Sequence, residues 1–154
     1  MFKDIFMIAL IQRVGHCSVS VDSDSVSSIG AGMLILLGVH RDDTEKDIKL
    51  LARKCAGLRI FSDDEGKMNC SVADSDGEIL VVSQFTLFGE VKIGLRPYFG
   101  EAAEPEKAQD YYLRFMAVLR ESGLPVKGGM FGAHMHLEIL NDGPVTIYIN
   151  SRDL

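Results

Sequence analysis

Met33 to Val39 is an unbroken apolar run entered through Gly30-Ala31-Gly32. It is too short to cross a bilayer and lacks the polar alternation of a half-buried strand, so it reads as a strand buried on both faces. A second apolar run, Ile79 to Val82, leads into Ser83-Gln84-Phe85-Thr86-Leu87. A buried strand ending in this way delivers backbone N–H groups and hydroxyls to the rim of a sheet. A third run, Val145 to Ile149, leads out of Asn141-Asp142-Gly143-Pro144. A Gly-Pro step presents carbonyl oxygens with no side chain in the way. Donors from one stretch and acceptors from the other suit an ester that carries an amino group.

Two further stretches have helical period. Thr44 and Asp47 stand in capping-box spacing, and Ile48, Leu51, Ala52, Cys55 and Leu58 recur at steps of three and four. A second helix begins near Pro105, carries an apolar stripe through Ala108, Tyr111, Tyr112, Phe115, Val118 and Leu119, and ends at Gly123. Strands are expected at Met7 to Val14, Ser18 to Asp22, Ser25 to Ile29, Leu58 to Phe61, Glu78 to Leu87, Met135 to Leu140 and Val145 to Ile149, the last two around a Gly-Pro turn. Phe88 to Gly100 reads as an irregular functional loop. The fold class is α/β: a β-rich single domain over residues 1–154, with a curved sheet or partial barrel and two main helices.

With 154 residues, 47% of them hydrophobic, the chain has enough material for one core. Three widely spaced cysteines, Cys17, Cys55 and Cys70, argue against a disulfide framework and fit a reducing, cytoplasmic setting. No cysteine or histidine cluster has zinc-ligand spacing, so neither metal nor cofactor is expected. The acidic Asp63-Asp64-Glu65-Gly66 segment lacks the alternating ligands of a calcium loop and reads as a solvated turn. A net charge of −6 weighs against broad nucleic-acid binding, though a local basic lip around an RNA end is compatible with it.

Each candidate for chemistry has a plainer reading. Ser83 and Thr86 are possible nucleophiles, but no sequence signal sets His16, His40, His134 or His136 beside them; structural hydroxyls at a strand end are favoured. His134 and His136 share one face of a strand without a third metal ligand. Gly143-Pro144 is by default a hairpin turn. Arg13 is either a surface charge or a side chain gripping loop carbonyls, in about equal measure. Phe131-Gly132-Ala133 has the small residues that admit a ligand ring, or is a loop packed by one phenylalanine.

In order from Met7 to the C-terminus, the chain closely resembles the D-aminoacyl-tRNA deacylases. The resemblance rests on Ile11-Gln12-Arg13-Val14, Gly32 to Val39, Gly57-Leu58-Arg59-Ile60-Phe61, Gly66-Lys67-Met68-Asn69, Val81 to Leu87, Arg96-Pro97, Ala102-Ala103, Phe131-Gly132-Ala133 and Asn141 to Thr146. It implies a homodimer with active sites at the subunit interface and tRNA as partner. One wall is the segment containing Ser83, Gln84, Phe85 and Thr86. The other is a cis Gly143-Pro144 lent by the second subunit, with Arg13 fixing that loop. Phe131, Ala133 and Met135 fall where the family cradles the terminal adenosine, with Ala102 close by. The resemblance implies an ester between a D-amino acid and the tRNA 3′ ribose, whose 2′-OH assists the reaction. Glycine, having no side chain to reject, is expected to pass, including glycine mischarged on alanine tRNA. Two departures stand out: Val91, Ile93 and Leu95 replace polar or basic residues in the 90–96 loop, and residues 1–6 lie upstream of the usual start. The rival reading is a non-catalytic nucleic-acid-binding module on the same fold. A third is an editing relative acting on another mischarged amino acid such as L-alanine; the unaltered SQFTL and Gly-Pro stretches speak against it.

Overall fold

The computed structural model describes residues 4–154. Its axis is β1 (Ile8–Val21), fourteen residues long and paired on both edges. One edge meets β3 (Gly32–Gly38) over its first half and β2 (Asp24–Ile29) over its second. The other edge meets β8 (His136–Asn150) along nearly its whole length, antiparallel. β6 (Glu78–Ser83) and then β7 (Val126–Gly128) add in parallel beyond β3. β2 bends back towards β7: Ser27 Oγ donates to the Gly128 carbonyl (2.7 Å) and Lys127 Nζ to that of Ser28 (2.7 Å). The mixed sheet is thereby nearly closed into a barrel. β4 (Phe61–Ser62) and β5 (Met68–Cys70) form a separate small ribbon.

β3 and β6 are covered on both faces, as their unbroken apolar runs require. Met33, Ile35 and Leu37 with Ile79 and Val81 face the helices, in the main core. Leu34, Leu80 and Val82 face the barrel interior with Val14, Cys17, Val19 and Ile29. The strands meet so closely at Gly32 that a Cβ there would lie 1.8 Å from the Glu78 carbonyl oxygen. α1 (Glu45–Gly57) and α2 (Pro105–Glu121) lie over the outer face. At the start of α1 the Thr44 N–H donates to Asp47 Oδ2 (2.9 Å), the carboxylate half of the expected capping box. Pro105 opens α2.

Several boundaries differ from the sequence expectation. The strands expected at Met7 to Val14 and Ser18 to Asp22 are merged into one, Ile8–Val21, because β8 pairs with it on both sides of Gly15, where the register shifts. The strand expected at Leu58 to Phe61 begins only at Phe61, and the strand before the SQFTL rim stops at Ser83. The strand expected at Met135 to Leu140 begins at His136 and runs on through Val145 to Ile149 as a single strand, so Gly143-Pro144 is not a hairpin turn. Of the upstream segment 1–6, residues 1–3 lie outside the described residues. Residues 4–6 are tied down: Asn150 donates to the Asp4 carbonyl (2.9 Å), and Phe6 packs on His40 and beneath the Arg152 guanidinium.

One end of the barrel carries a buried polar cluster. Asp43, 2% exposed, accepts the N–H groups of Met7 (2.9 Å) and His40 (2.7 Å). Burial pushes its carboxyl up to about 7 against those two hydrogen bonds. Burial acts the same way on Asp47. There the Thr44 N–H, the Ser151 hydroxyl and Arg152 outweigh it and hold the carboxyl below its ordinary range.

Candidate active site

β6 ends beside β3 with Ser83 opposite Leu37, and the Gln84 N–H extends the ladder one step by donating to the Leu37 carbonyl (2.8 Å). The chain then tightens into a single 3₁₀ turn, Phe85–Phe88. Leading N–H groups of such a turn have no acceptor inside it and point outward. Phe88 is the buried foot of the turn, seated where Gly38 leaves room; a Cβ at Gly38 would come within 2.9 Å of its ring. Phe85 is 54% exposed and meets the Phe99 ring edge-on, centroids 5.1 Å apart. The Gln84 amide donates to the Thr86 hydroxyl.

Among the described residues no histidine hydrogen-bonds Ser83 or Thr86. His40 is buried and already engaged: its Nδ1 accepts the Asp42 N–H (3.0 Å), so its Nε2 carries the proton and donates to Glu101 (2.9 Å). His134 and His136 face each other, ring centroids 5.2 Å apart. No group of three or more His, Cys, Asp or Glu side chains among the described residues has metal-binding geometry.

The second stretch is a wide bulge in β8. Thr146 faces Gln12 and Asn141 faces Val14, so four residues, 142–145, bow outward against Arg13 alone. The Gly143-Pro144 peptide in this bulge is cis, and Gly143 has φ +121°. Two side chains hold the bulge at its base. With its amide turned to satisfy its neighbours, Asn141 donates to the carbonyls of Arg13 (3.0 Å) and Val145 (3.1 Å) and accepts from Gln12 Nε2 (3.0 Å) and Thr146 Oγ1 (3.1 Å). Arg13 Nη1 donates to the Ile60 carbonyl (2.8 Å), and its Nε lies 3.0 Å from Asp142 Oδ2. That Nε–H is not aimed at the oxygen, so the contact acts through charge rather than as a directed hydrogen bond. Of the two readings open for Arg13, the structure shows the carbonyl-gripping one.

The bulge and the SQFTL turn do not meet within one chain. β1 and β3 stand between β8 and β6, three strand spacings or roughly 14 Å at ~4.8 Å each. Gly143 and Pro144 are exposed, and no hydrogen bond or ring contact joins them to Ser83–Thr86. The remaining expected site residues lie behind the SQFTL turn or between α2 and β8. Ala102 bridges to His40, and its N–H donates to the Phe99 carbonyl (3.1 Å). Phe131, Ala133 and Met135 are half-buried on the stretch entering β8. Tyr112 of α2 fastens that stretch: its hydroxyl donates to the Val81 carbonyl (2.9 Å) and accepts the Gly129 N–H (3.1 Å), and its ring faces Phe131. Sequence reasoning missed Asn141 as a latch, Asp142 as the counter-charge to Arg13, and Phe99 as the support for Phe85. Only adjacency to the Gly-Pro step marked the first two.

Fold and site together define a class: an α/β domain offering backbone donors on one rim and backbone acceptors on an outlying bulge. Residues 10–150 match the family model described as D-Tyr-tRNA(Tyr) deacylase. The chain is 53% identical to a D-aminoacyl-tRNA deacylase of Thermotoga petrophila, covering 96% of this chain and 99% of that one. It is 55% identical to one of Persephonella marina, covering 96% and 100%. A solved c-Myc DNA Unwinding Element Binding Protein superposes with TM-score 0.87 at 43% identity, over 93% of this chain and 97% of the other. A probable eukaryotic D-amino acid tRNA deacylase shares the fold, with TM-score 0.78 at 20% identity, over 94% and 98%. The chain belongs to the D-Tyr-tRNA(Tyr) deacylase family and is a hydrolase of the D-aminoacyl-tRNA deacylase type.

Proposed function

We propose that this enzyme clears D-amino acids from tRNA in the cytoplasm as a homodimer, each Gly143-Pro144 bulge entering the partner subunit's site. The observation that carries the reading is the separation of the two stretches within one chain. The bulge is latched by Arg13 and Asn141, and two strands, β1 and β3, stand between its own strand and the one that ends in the Ser83–Thr86 turn. Among the described residues β8 pairs with β1 alone, and Leu140 is exposed along it, an edge that a second copy would cover.

In this arrangement the terminal adenosine lies against Phe131, Ala133, Met135 and Ala102. Water adds to the ester carbonyl carbon with help from the neighbouring ribose 2′-OH. The N–H groups of Phe85 and Thr86 receive the oxyanion, each worth about 3 kcal/mol to the transition state. The C–O bond to the 3′ oxygen then breaks, that oxygen leaves protonated, and free D-amino acid and tRNA separate. The Gly143 and Pro144 carbonyls accept from the substrate's α-ammonium. They occupy the space an L side chain needs, so chirality is decided by exclusion. Glycine has nothing to exclude, and glycyl-tRNA(Ala) is a substrate in this scheme.

The test is incubation with D-Tyr-tRNA and L-Tyr-tRNA, expected to lose the D ester only; equal hydrolysis of both refutes the chiral assignment. The rival, a non-catalytic nucleic-acid-binding module, draws on the DNA-binding name of the 43% identical structure. It requires that purified protein show no turnover.

A further inference from the structure

A depression of about 580 Å³ lies at the C-terminal end of α1, lined by Leu50, Arg53, Lys54, Leu58, Arg59 and, at the last position of the sequence, Leu154. In a chain of net charge −6, three cations converging on one hollow is unexpected. Several cations elsewhere sit against carboxylates, among them Lys49 with Glu45, Lys67 with Glu65, Arg114 with Asp110 and Lys127 with Glu78, while Lys107 and Arg120 donate to backbone carbonyls. Arg53, Lys54 and Arg59 have no such partner within 4 Å among the described residues. Asp74 is the acid that feels Arg59. Its carboxyl is held below the usual range first by the Ser71 N–H and last by that charge. All three side chains are exposed, and Leu50 and Leu58 give the hollow an apolar floor.

Position supplies the second observation. Arg59 precedes Ile60, whose carbonyl is the one Arg13 grips while its other edge meets Asp142. Arg13 thus ties the backbone one residue beyond Arg59 to the base of the Gly143-Pro144 bulge. If the bulge enters the partner's site, the hollow travels with it to the rim of that site. Unpaired cations there face whatever anion accompanies the ester, and a tRNA end brings a run of phosphodiesters.

We propose that Arg53, Lys54 and Arg59 form a phosphate-binding surface for the tRNA body, placed on the subunit that lends the Gly-Pro bulge. A single tRNA is then held by both subunits: its ester and adenosine by one, its backbone phosphates by the other. The proposal rests on the cross-subunit reading above. It accounts for tRNA binding by an acidic protein without involving the apolar tip of the 90–96 loop.

The test compares wild type with Arg53→Gln/Lys54→Gln/Arg59→Gln and with a charge-matched control, Lys49→Gln/Lys67→Gln/Lys127→Gln. Binding of uncharged tRNA is followed by fluorescence anisotropy across a salt series. Loss of three phosphate contacts should flatten the slope of log K against log salt by about 2 to 3, and weaken binding roughly tenfold at moderate salt. The control should change neither. The KM for D-Tyr-tRNA should rise by a similar factor, with hydrolysis of D-tyrosyl-adenosine, which has no phosphates, unchanged. Equal binding and slope in wild type and triple variant, or equal loss in the control, overturns the proposal. Failure of wild type to cleave D-tyrosyl-adenosine instead strikes the functional reading, and the anisotropy series still decides the surface.

Discussion

Replacing Gly143 by alanine puts the proposed chirality filter under direct load. The residue sits at φ +121°, a conformation that L side chains adopt at a cost of about 1–3 kcal/mol. A Cβ there would stand 2.9 Å from Val145 Cγ2, 3.0 Å from the Val145 nitrogen and 3.2 Å from Arg13 Nη2. The arginine head can give way, but the Val145 nitrogen is backbone and cannot move without moving the bulge. Adding roughly 1 kcal/mol for that crowding gives about 2–4 kcal/mol to be relieved. The bulge is exposed and lies on an edge strand, so a local shift of about an ångström is the cheaper escape. Carbonyls displaced by that much no longer meet the α-ammonium, and misplacement on this scale costs on the order of 100-fold in rate. Gly143→Ala should therefore lose about 100-fold in single-turnover hydrolysis of D-Tyr-tRNA. Its urea midpoint should fall by no more than about 2 kcal/mol equivalent, and its preference for D over L should shrink. Wild-type rate and chirality in a folded Gly143→Ala protein would refute the reasoning, because the bulge would then have no part in positioning the ester.

Two other outcomes follow from the structure. Thr86→Ala should retain hydrolysis within about threefold, since the proposed polarising groups are main-chain N–H donors; complete loss with intact fold and tRNA binding would make its hydroxyl the nucleophile. Asp43, raised to about 7 from an ordinary 3.8, binds its proton more tightly folded than unfolded. Its contribution to stability is full below about pH 4 and drains away as pH rises through 7, by up to roughly 4 kcal/mol. Urea midpoints measured from pH 4.5 to 8.5 should show this fall in wild type. Asp43→Asn should flatten it while leaving one of the Met7 and His40 N–H groups without an acceptor. Parallel pH curves for the two proteins would mean that Asp43 is ionised throughout.

Much of the scaffold was readable residue by residue because its causes are local. The apolar run at Met33 to Val39 admits few solutions other than a strand covered on both faces, and Thr44 with Asp47 ahead of a helical apolar period marks a helix start. Other parts were not local. β7, only three residues long, exists because β6 offers it an edge, and nothing within Val126-Lys127-Gly128 announces a strand. Of the site, the SQFTL rim followed from its apolar run, whereas the grip of Arg13 on Ile60 spans 47 positions of sequence.

The Gly-Pro step marks the limit most sharply. Sequence alone determined that Asn141 to Pro144 breaks the pattern of a strand and offers carbonyls without side chains over them. Those residues suit a hairpin tip and a bulge equally, since both need a glycine free to leave the usual φ range and a proline that donates no hydrogen bond. The choice between them was made by β1, more than 120 residues earlier, whose register with both flanks of the step keeps β8 a single strand and pushes residues 142–145 outward. Local conformational preference belongs to the residues themselves; the direction in which the bulge points belongs to the strand beside it.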